Sequence, residues 1–157
     1  MKKEFDQREL RDCFGMFATG IMIATTNLKD ELYGFTVNSF SSVSLDPPLL
    51  LFSIDNKSSN LKIFKKSKKF CLNILSKSQI ESAIEFAKPA NTTKWAAEKY
   101  NLTNHKNPVF ENSVAFFECE RYKMIKAGDH HILIGKIINF AKINDAECLF
   151  YHLGKFC

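Results

Sequence analysis

The sequence contains few of the residues that break regular structure: six glycines and four prolines among 157 residues. Hydrophobic residues make up 45% of the chain and charged residues 25%. This composition is typical of a folded globular protein and excludes a disordered or fibrous chain. Since the length suits one hydrophobic core, and no repeat or linker interrupts the chain, we expect a single domain over residues 1–157.

Long apolar runs are also absent. The stretches 21–24 and 49–52 are far shorter than the ~20 residues that a membrane-spanning helix requires. Two lysines near the N-terminus are followed by the acidic and polar segment 4–12, so no signal-peptide core is present there. We therefore expect a cytoplasmic protein with no membrane partner.

Several catalytic and metal-binding motifs are missing. The glycines fit neither G-x-G-x-x-G nor the phosphate-loop pattern, and no serine stands in a G-x-S-x-G elbow. His130 and His131 are adjacent, and on a strand they would point to opposite faces, so they cannot share a metal ion. The five cysteines lack zinc-site spacing and are interpreted as reduced thiols, mostly in the core. We expect no metal site formed by protein ligands.

Local patterns predict three helices. Asp6 and Glu9 occupy capping-box positions at the start of the first helix, whose apolar stripe includes Leu10 and Phe14. A short lysine-rich helix begins after Ser58 or Ser59. The third follows a second predicted capping box, formed by Ser78 and Glu81, which precede the apolar spacing Ile80, Ala83, Ile84 and Ala87.

Strands account for most of the remaining chain. Pro47 and Pro48 predict a loop before an apolar strand, and the polar segment 88–108 predicts a second, longer loop. Only two helices lie between strands, so a regular βαβ alternation is excluded. We predict a mainly β fold with flanking helices, in which an antiparallel sheet closes into a barrel. The seven predicted strands are 20–27, 31–38, 49–54, 69–75, 113–126, 130–143 and 148–152.

Two segments have residue types suited to ligand binding. Residues 36–44 are rich in short hydrogen-bonding side chains and lie beside apolar strands, as expected for a site that binds a flat heteroaromatic ring. A serine-rich turn without a ligand is the alternative. Residues 55–60 join a strand to a helix, where backbone N–H groups, Lys57 and two serines suit a phosphate. Ordinary helix capping is the alternative there.

Positive charge is concentrated just after this junction. The net charge is +5, and six lysines lie within residues 57–69. They are interpreted as the solvated face of a short helix or, alternatively, as a positive rim around a phosphate-bearing ligand. No nucleic-acid-binding module is recognisable, so nucleic acid is not an expected partner. The six lysines within residues 57–69 are Lys57, Lys62, Lys65, Lys66, Lys68 and Lys69.

Four stretches together resemble the flavin reductase-like family. Residues 14–20 read FGMFATG, and residues 34–49 read GFTVNSFSSVSLDPPL. The triplet Gly128-Asp129-His130 and the ending LFYHLGKF at 149–156 resemble the same family. The similarity extends over nearly the whole chain in the expected order, and the 34–49 block is its most specific part.

This resemblance implies an antiparallel FMN-binding split β-barrel, usually a homodimer, that reduces FMN or FAD with NADH or NADPH. Many members are the small component of two-component monooxygenases, so a large oxygenase component is an implied partner. His130 would lie near the reacting rings as the catalytic residue, and Phe156 near the nicotinamide. The implied flavin-binding residues are Thr36, Val37, Asn38 and Ser39 at the ring and ribityl chain, Ser53 and Asp55 along the ring edge or ribityl chain, and Lys57, Ser58, Ser59 and Asn60 at the phosphate.

Two other functions remain open from the sequence. One is a split-barrel protein that binds FMN without turnover. The other is a flavin-dependent reductase of another small acceptor.

Overall fold

A computed structural model describes residues 5–89, 95–96 and 98–157. This part of the chain forms three α-helices and twelve strands. The helices are α1 (Gln7–Gly15), α2 (Ser59–Lys66) and α3 (Ile80–Ala87). The strands are β1 (Thr19–Gly20), β2 (Met22–Leu28), β3 (Glu31–Val37), β4 (Ser41–Leu45), β5 (Pro48–Asp55), β6 (Lys69–Ile74), β7 (Tyr100–Leu102), β8 (Pro108–Phe110), β9 (Ala115–Ala127), β10 (His130–Lys142), β11 (Phe150–His152) and β12 (Lys155–Phe156).

Seven strands form one antiparallel sheet in the order β3-β2-β6-β9-β10-β5-β4. Its two edge strands, β3 and β4, are consecutive in the chain and are joined by residues 38–40 alone. Such a link spans at most about 15 Å, so the sheet must curl until its edges approach each other. Because no ladder joins β3 to β4 in the described residues, the barrel is split along this seam. The predicted mainly β fold with flanking helices is confirmed.

Aromatic rings fill the inside of the barrel. The rings of Phe52 and Phe70 meet edge to face at 5.5 Å, and those of Phe35 and Phe64 at 5.2 Å. Leu61 and Phe64 belong to α2, so this helix contributes two of its side chains to the same core. Gly135 on β10 allows the close packing, because a Cβ there would lie 2.6 Å from the Phe70 ring.

A second core lies on the outside of the sheet, beneath α3. Alternate residues of β2 supply the two cores, with Met22 and Ala24 in the first and Ile23 in the second. Phe86 of α3 packs in this second core together with Phe110. A buried amide, Asn73, ties the β7–β8 ribbon to the barrel by accepting from the Phe110 N–H at 3.0 Å. Buried polar groups of this kind are hydrogen-bonded because leaving them unpaired is costly.

Two of the predicted loops contain strands. Residues 41–45 form the edge strand β4, and the loop before β5 shrinks to a turn at Asp46-Pro47. Pro48 is tolerated because it is the first residue of its strand. Within the predicted loop 88–108, β7 pairs with β8. Residues 90–94 and 97 of that segment lie outside the described residues.

The predicted capping box of the third helix is wrong. The side chain of Gln79 accepts from the Ser76 backbone N–H at 3.1 Å, so the box lies two residues earlier and opens a short 3-10 turn before α3. The predicted apolar face is also rotated, because Ile84 is 43% exposed while Phe86 is fully buried.

The first helix begins as predicted but packs differently. Asp6 caps α1 by accepting from the N–H groups of Arg8 and Glu9. None of the helical residues is buried, and the exposed fraction of Phe14 is 69%. The apolar stripe of α1 therefore covers no core formed by the described residues. In the described residues, no helix has the length and apolar character needed to cross a bilayer.

The close packing at Gly135 gives a stability prediction. The Gly135→Ala variant places a Cβ 2.6 Å from the fully buried Phe70 ring and 2.9 Å from Cys119 Cβ. We expect a loss of about 1–3 kcal/mol in the free energy of unfolding, as is typical of overpacked cores. Urea denaturation measures this loss. Gly20→Ala is the matched control, because no atom lies within 4 Å of its added Cβ; equal stability of the two variants would contradict the packing argument.

Candidate functional site

A cavity of about 260 Å³ lies at the seam of the barrel. It is formed by the end of β3, the link to β4, the end of β5, the start of α2 and the start of β10. Eight of the residues that the family resemblance singled out line it. The lining residues are Phe35, Thr36, Val37, Asn38, Ser39, Ser53, Asp55, Ser58 and His130.

Strand alternation explains why β5 supplies polar groups to this pocket. Phe52 and Ile54 are buried in the barrel core, so Ser53 and Asp55 project from the opposite face of the strand. His130 is the cross-strand partner of Asp55 and joins it on that outer face. A polar pocket wall therefore backs directly onto a wholly apolar core.

Two hydroxyl groups of the pocket form hydrogen bonds with the backbone that stabilise the fold. Ser39 Oγ accepts from the Ser53 N–H at 2.9 Å and so fastens the β3–β4 link to β5. Thr36 Oγ1 donates to the Ala83 carbonyl at 2.7 Å and so fastens β3 to α3. Because its proton is used, the Thr36 hydroxyl is left to accept, not donate, in any contact with a ligand.

The junction between β5 and α2 is capped by its own side chains. Asp55 Oδ1 accepts from the Lys57 N–H at 2.7 Å, and Ser58 Oγ accepts from the Asn60 N–H at 3.2 Å. Ser58 therefore caps the helix and also lines the pocket. Lys57, Ser59 and Asn60 are not among the lining residues, although they adjoin Ser58 in the chain.

The adjacent histidines separate as strand geometry requires. His130 lines the pocket, and its Nδ1 lies 2.7 Å from Asp129 Oδ1. His131 is not among the lining residues, and its Nδ1 lies 2.6 Å from Asn56 Oδ1. The hydrogen bond and charge of His130 lower the pKa of Asp129, which therefore stays ionised beside the imidazole. With Nδ1 engaged, Nε2 is the His130 nitrogen left for a ligand.

One lining residue was missed, and the predicted nicotinamide contact lies away from the pocket. Phe35 lines the pocket while its ring packs against Phe64. Its position between Gly34 and Thr36 in the most specific family block was the available signal. Phe156 packs edge to face on Tyr151 at 5.3 Å, beside the second core, and does not line the pocket of its own chain.

Outside this pocket, the described residues provide few groups suited to catalysis or metal binding. In the described ranges, no three histidine, cysteine or acidic residues are grouped closely enough to hold a metal ion. Cys71 and Cys119 are buried, and burial raises the pKa of the Cys119 thiol to about 12, which makes it unreactive. A cavity of about 340 Å³ beside the β7–β8 ribbon contains none of the predicted site residues.

Comparisons with known proteins agree with the fold. Residues 14–157 match the flavin reductase like domain family. The chain is 43% identical over 145 residues to the reductase component of a flavin-dependent trigonelline monooxygenase from Acinetobacter baylyi, covering 92% of this chain and 46% of that protein. It is 33% identical to the FMN reductase (NADH) SmoA of Agrobacterium fabrum, covering 96% of this chain and 85% of that protein.

A solved structure supports the same relationship. The Streptomyces globisporus NADH:FAD oxidoreductase SgcE6, in complex with NAD and FAD fragments, superposes with a TM-score of 0.91 at 29% identity. The match covers 97% of this chain and 92% of that one. The chain spans 44–59% of the length of three curated relatives that it matches.

Proposed function

Because the chain belongs to the flavin reductase like domain family, we propose that it is an NAD(P)H-dependent flavin reductase acting on FMN or FAD. The proposal rests on the pocket at the barrel seam, where residues from three separate parts of the chain meet. Residues 35–39 form one part of it, His130 another, and the third consists of Ser53, Asp55 and Ser58. The reductase names of the relatives support the same activity.

The pocket suits a flat ring with polar edges. Phe35 and Val37 provide apolar surface, while Asn38, Ser39 and Ser53 provide hydrogen-bonding groups. In the described ladders β3 pairs only with β2, so its other edge presents backbone N–H and C=O groups to the seam. We assign the phosphate contact to Lys57, Ser58, Ser59 and Asn60. We assign the ring and ribityl contacts to Thr36, Val37, Asn38, Ser39, Ser53 and Asp55.

The flavin supplies the hydride-accepting chemistry, and the protein supplies position and electrostatics. Holding two rings with their reacting atoms about 3–3.5 Å apart is the main catalytic task. His130 is the proposed catalytic residue, because in its imidazolium form, with Nδ1 bonded to Asp129, Nε2 donates toward negative charge developing on the reduced ring. Asp129 holds Nδ1 and so orients the imidazole.

We further propose a homodimer. The outer face of β5, β9 and β10 carries half-buried or exposed apolar residues, among them Leu51, Ile132 and Ile134, and Ile125 is 38% exposed. Ser53 and His130 lie at the margin of this face, so a second copy covering it would adjoin the pocket. Phe156 remains the proposed nicotinamide contact, supplied by a second subunit or reached by the dinucleotide beyond the pocket.

The physiological acceptor of the product is proposed to be a large monooxygenase component. Relatives from several bacteria are named as reductase components or subunits of such systems. A soluble two-component system of this kind fits a cytoplasmic location. Neither the oxygenase partner nor the cytoplasmic location depends on the catalytic geometry of the pocket.

Steady-state kinetics test the activity. The purified chain should oxidise NADH or NADPH continuously when free FMN, FAD or riboflavin is in excess. A protein that binds FMN without turnover would show no continuous oxidation. A reductase of another acceptor would be distinguished by faster turnover with ferric iron or a small organic acceptor at fixed NADH.

The phosphate assignment predicts a selective effect of Ser59. This side chain is exposed and does not form the helix cap, which belongs to Ser58. We expect Ser59→Ala to weaken FMN binding roughly tenfold, as for the loss of a hydrogen bond to a charged group, about 1.5 kcal/mol. Riboflavin, which lacks the phosphate, is the control ligand in the same titration. Equal weakening of both ligands would place the phosphate elsewhere.

The catalytic assignment predicts a moderate effect of His130. We expect His130→Ala to lower kcat/KM for NADH about 10- to 100-fold with riboflavin as acceptor, because positioning by the rest of the pocket remains. His131→Ala is the matched control, since this neighbour does not line the pocket. Thermal denaturation checks that both variants fold. Wild-type kinetics in a folded His130→Ala variant would remove the residue from the mechanism.

A further inference from the structure

The hairpin between β9 and β10 carries the proposed catalytic histidine. Its loop consists of Gly128 and Asp129, and His130 is the first residue of β10. Gly128 has a φ of +59°, a conformation that glycine adopts without strain. In a two-residue hairpin loop the two loop carbonyls have no partner within the hairpin, so they bind water or another segment of the chain.

Asn56 provides a partner for each of these two carbonyls. Its backbone N–H donates to the Asp129 carbonyl at 2.9 Å, and its side-chain Nδ2 donates to the Gly128 carbonyl at 3.2 Å. The Asp129 carbonyl belongs to the peptide unit that leads into His130, and the Gly128 carbonyl belongs to the unit before it. One residue therefore holds both peptide units that precede His130.

Asn56 itself lies in the junction between β5 and α2. The Ser58 N–H donates to the Asp55 carbonyl at 3.0 Å, so residues 55–58 form a turn with Asn56 as its second residue. Asp55 and Ser58 line the pocket, whereas Asn56 is not among the lining residues. Through Asn56, the turn that borders the pocket from β5 is bonded to the turn that carries His130.

The chemistry of the partners assigns the two ends of the Asn56 amide. A backbone carbonyl can only accept, so the amide nitrogen faces Gly128. The amide oxygen is then left for His131, whose Nδ1 lies 2.6 Å away and donates to it. His131 is on the strand face opposite His130. Neither hydrogen bond from Asn56 to the hairpin loop involves His131, so both remain when that imidazole is removed.

The hairpin loop that Asn56 holds determines where the His130 imidazole lies. Asp129 Oδ1 is 2.7 Å from His130 Nδ1, and His130 lines the pocket. Side-chain packing does little to fix this pair, because the Asp129 side chain is 89% exposed. A Cβ added at Gly128 would likewise meet no atom of the described residues within 4 Å. The position of the pair therefore depends on the backbone ladder and on the hydrogen bonds from Asn56.

We propose that Asn56 is a positioning residue for flavin reduction, whose side-chain amide holds the hairpin loop so that Asp129 orients His130 toward the flavin. The inference rests on the proposed function, in which His130 acts on the ring that is being reduced. Asn56 acts through the backbone of the loop and touches neither ring. Because catalysis is sensitive to small displacements of a positioned group, the loss of this amide should slow the reaction more than it weakens binding.

A double-mutant cycle tests whether Asn56 acts through His130. We expect Asn56→Ala to lower kcat/KM for NADH about five- to tenfold with riboflavin as acceptor, and to change the Kd of riboflavin less than about threefold, since the β3 and β5 walls of the pocket remain. In the His130→Ala background the same substitution should cost less than about twofold. Equal losses in both backgrounds would mean a purely structural role and would overturn the inference.

Asn144→Ala is the matched control. Asn144 is half-buried like Asn56, donates to the Ser113 carbonyl at 2.8 Å and accepts from the Ala146 N–H at 2.9 Å. It is not among the residues that line the pocket. This variant should keep the wild-type kcat/KM, and thermal denaturation checks that it and the Asn56 variants fold. A loss equal to that of Asn56→Ala would contradict a specific role of Asn56.

A second variant isolates the hydrogen bond to the loop. Asn56→Asp keeps an oxygen that can accept from His131, but a carboxylate cannot donate to the Gly128 carbonyl. We therefore expect Asn56→Asp to lose as much kcat/KM as Asn56→Ala. Wild-type kcat/KM in Asn56→Asp would assign the effect to the contact with His131 and overturn the inference.

A third measurement does not depend on activity. The hydrogen bond and charge of His130 lower the pKa of Asp129 in the wild type. We expect Asn56→Ala to raise the Asp129 pKa toward its ordinary value in an NMR titration, because a loosened loop weakens the Asp129–His130 pair. The Asn144→Ala control should leave that pKa unchanged. An unaltered Asp129 pKa in Asn56→Ala would show that the loop keeps its geometry without the amide, which the inference does not allow.

The wild type and His130→Ala separate this inference from the proposed function. If the wild type does not oxidise NADH with riboflavin, or if a folded His130→Ala variant keeps wild-type kinetics, the proposed function or its catalytic residue fails and the inference fails with it. If both behave as proposed while Asn56→Ala is as fast as the wild type, the inference alone fails.

Discussion

The three-residue link between β3 and β4 is the constraint on which the rest of the structure depends. Because the two edges of a seven-stranded sheet are joined by residues 38–40, the sheet has to curl. Ser39 then fastens the link to β5 through the Ser53 N–H. The seam left between the edges is the pocket. The same short segment therefore brings the two sheet edges together and supplies Asn38 and Ser39 to the site.

The packing of phenylalanine rings makes that curl stable. The rings of Phe52 and Phe70 fill the interior together with Phe64 of α2, and Gly135 leaves space for their contact. Since strand side chains alternate, the neighbours of the core residues in each strand point outward. On β5 and β10 these neighbours include the polar residues that line the seam. Helix α2 belongs to both regions, because Leu61 and Phe64 complete the core while its N-cap, Ser58, lines the pocket.

Some apolar side chains are left exposed by the described residues of one chain. Phe14 on α1 and Ile125 on the outer sheet face are well exposed. Exposed apolar surface of this extent is characteristic of association sites, which is the physical basis for the proposed homodimer. The pocket lies at the border of the outer face, so association and ligand binding would share residues.

Several features followed from the sequence alone, because they depend on local periodicity and on a specific block of residues. The Asp6 cap, the β9–β10 hairpin and the opposite orientation of His130 and His131 are local consequences of backbone geometry. Through family resemblance, the 34–49 block identified Thr36 to Ser39, four of the nine residues that line the pocket. Tertiary contacts decided the rest: β4 is a strand because β5 offers it an edge. The capping box lies at Ser76 and Gln79, where it opens the 3-10 turn before α3. Ser53, Asp55 and His130 meet beside the β3–β4 link because the sheet curls and because β5 pairs with β10 in this register, and residue spacing encodes neither.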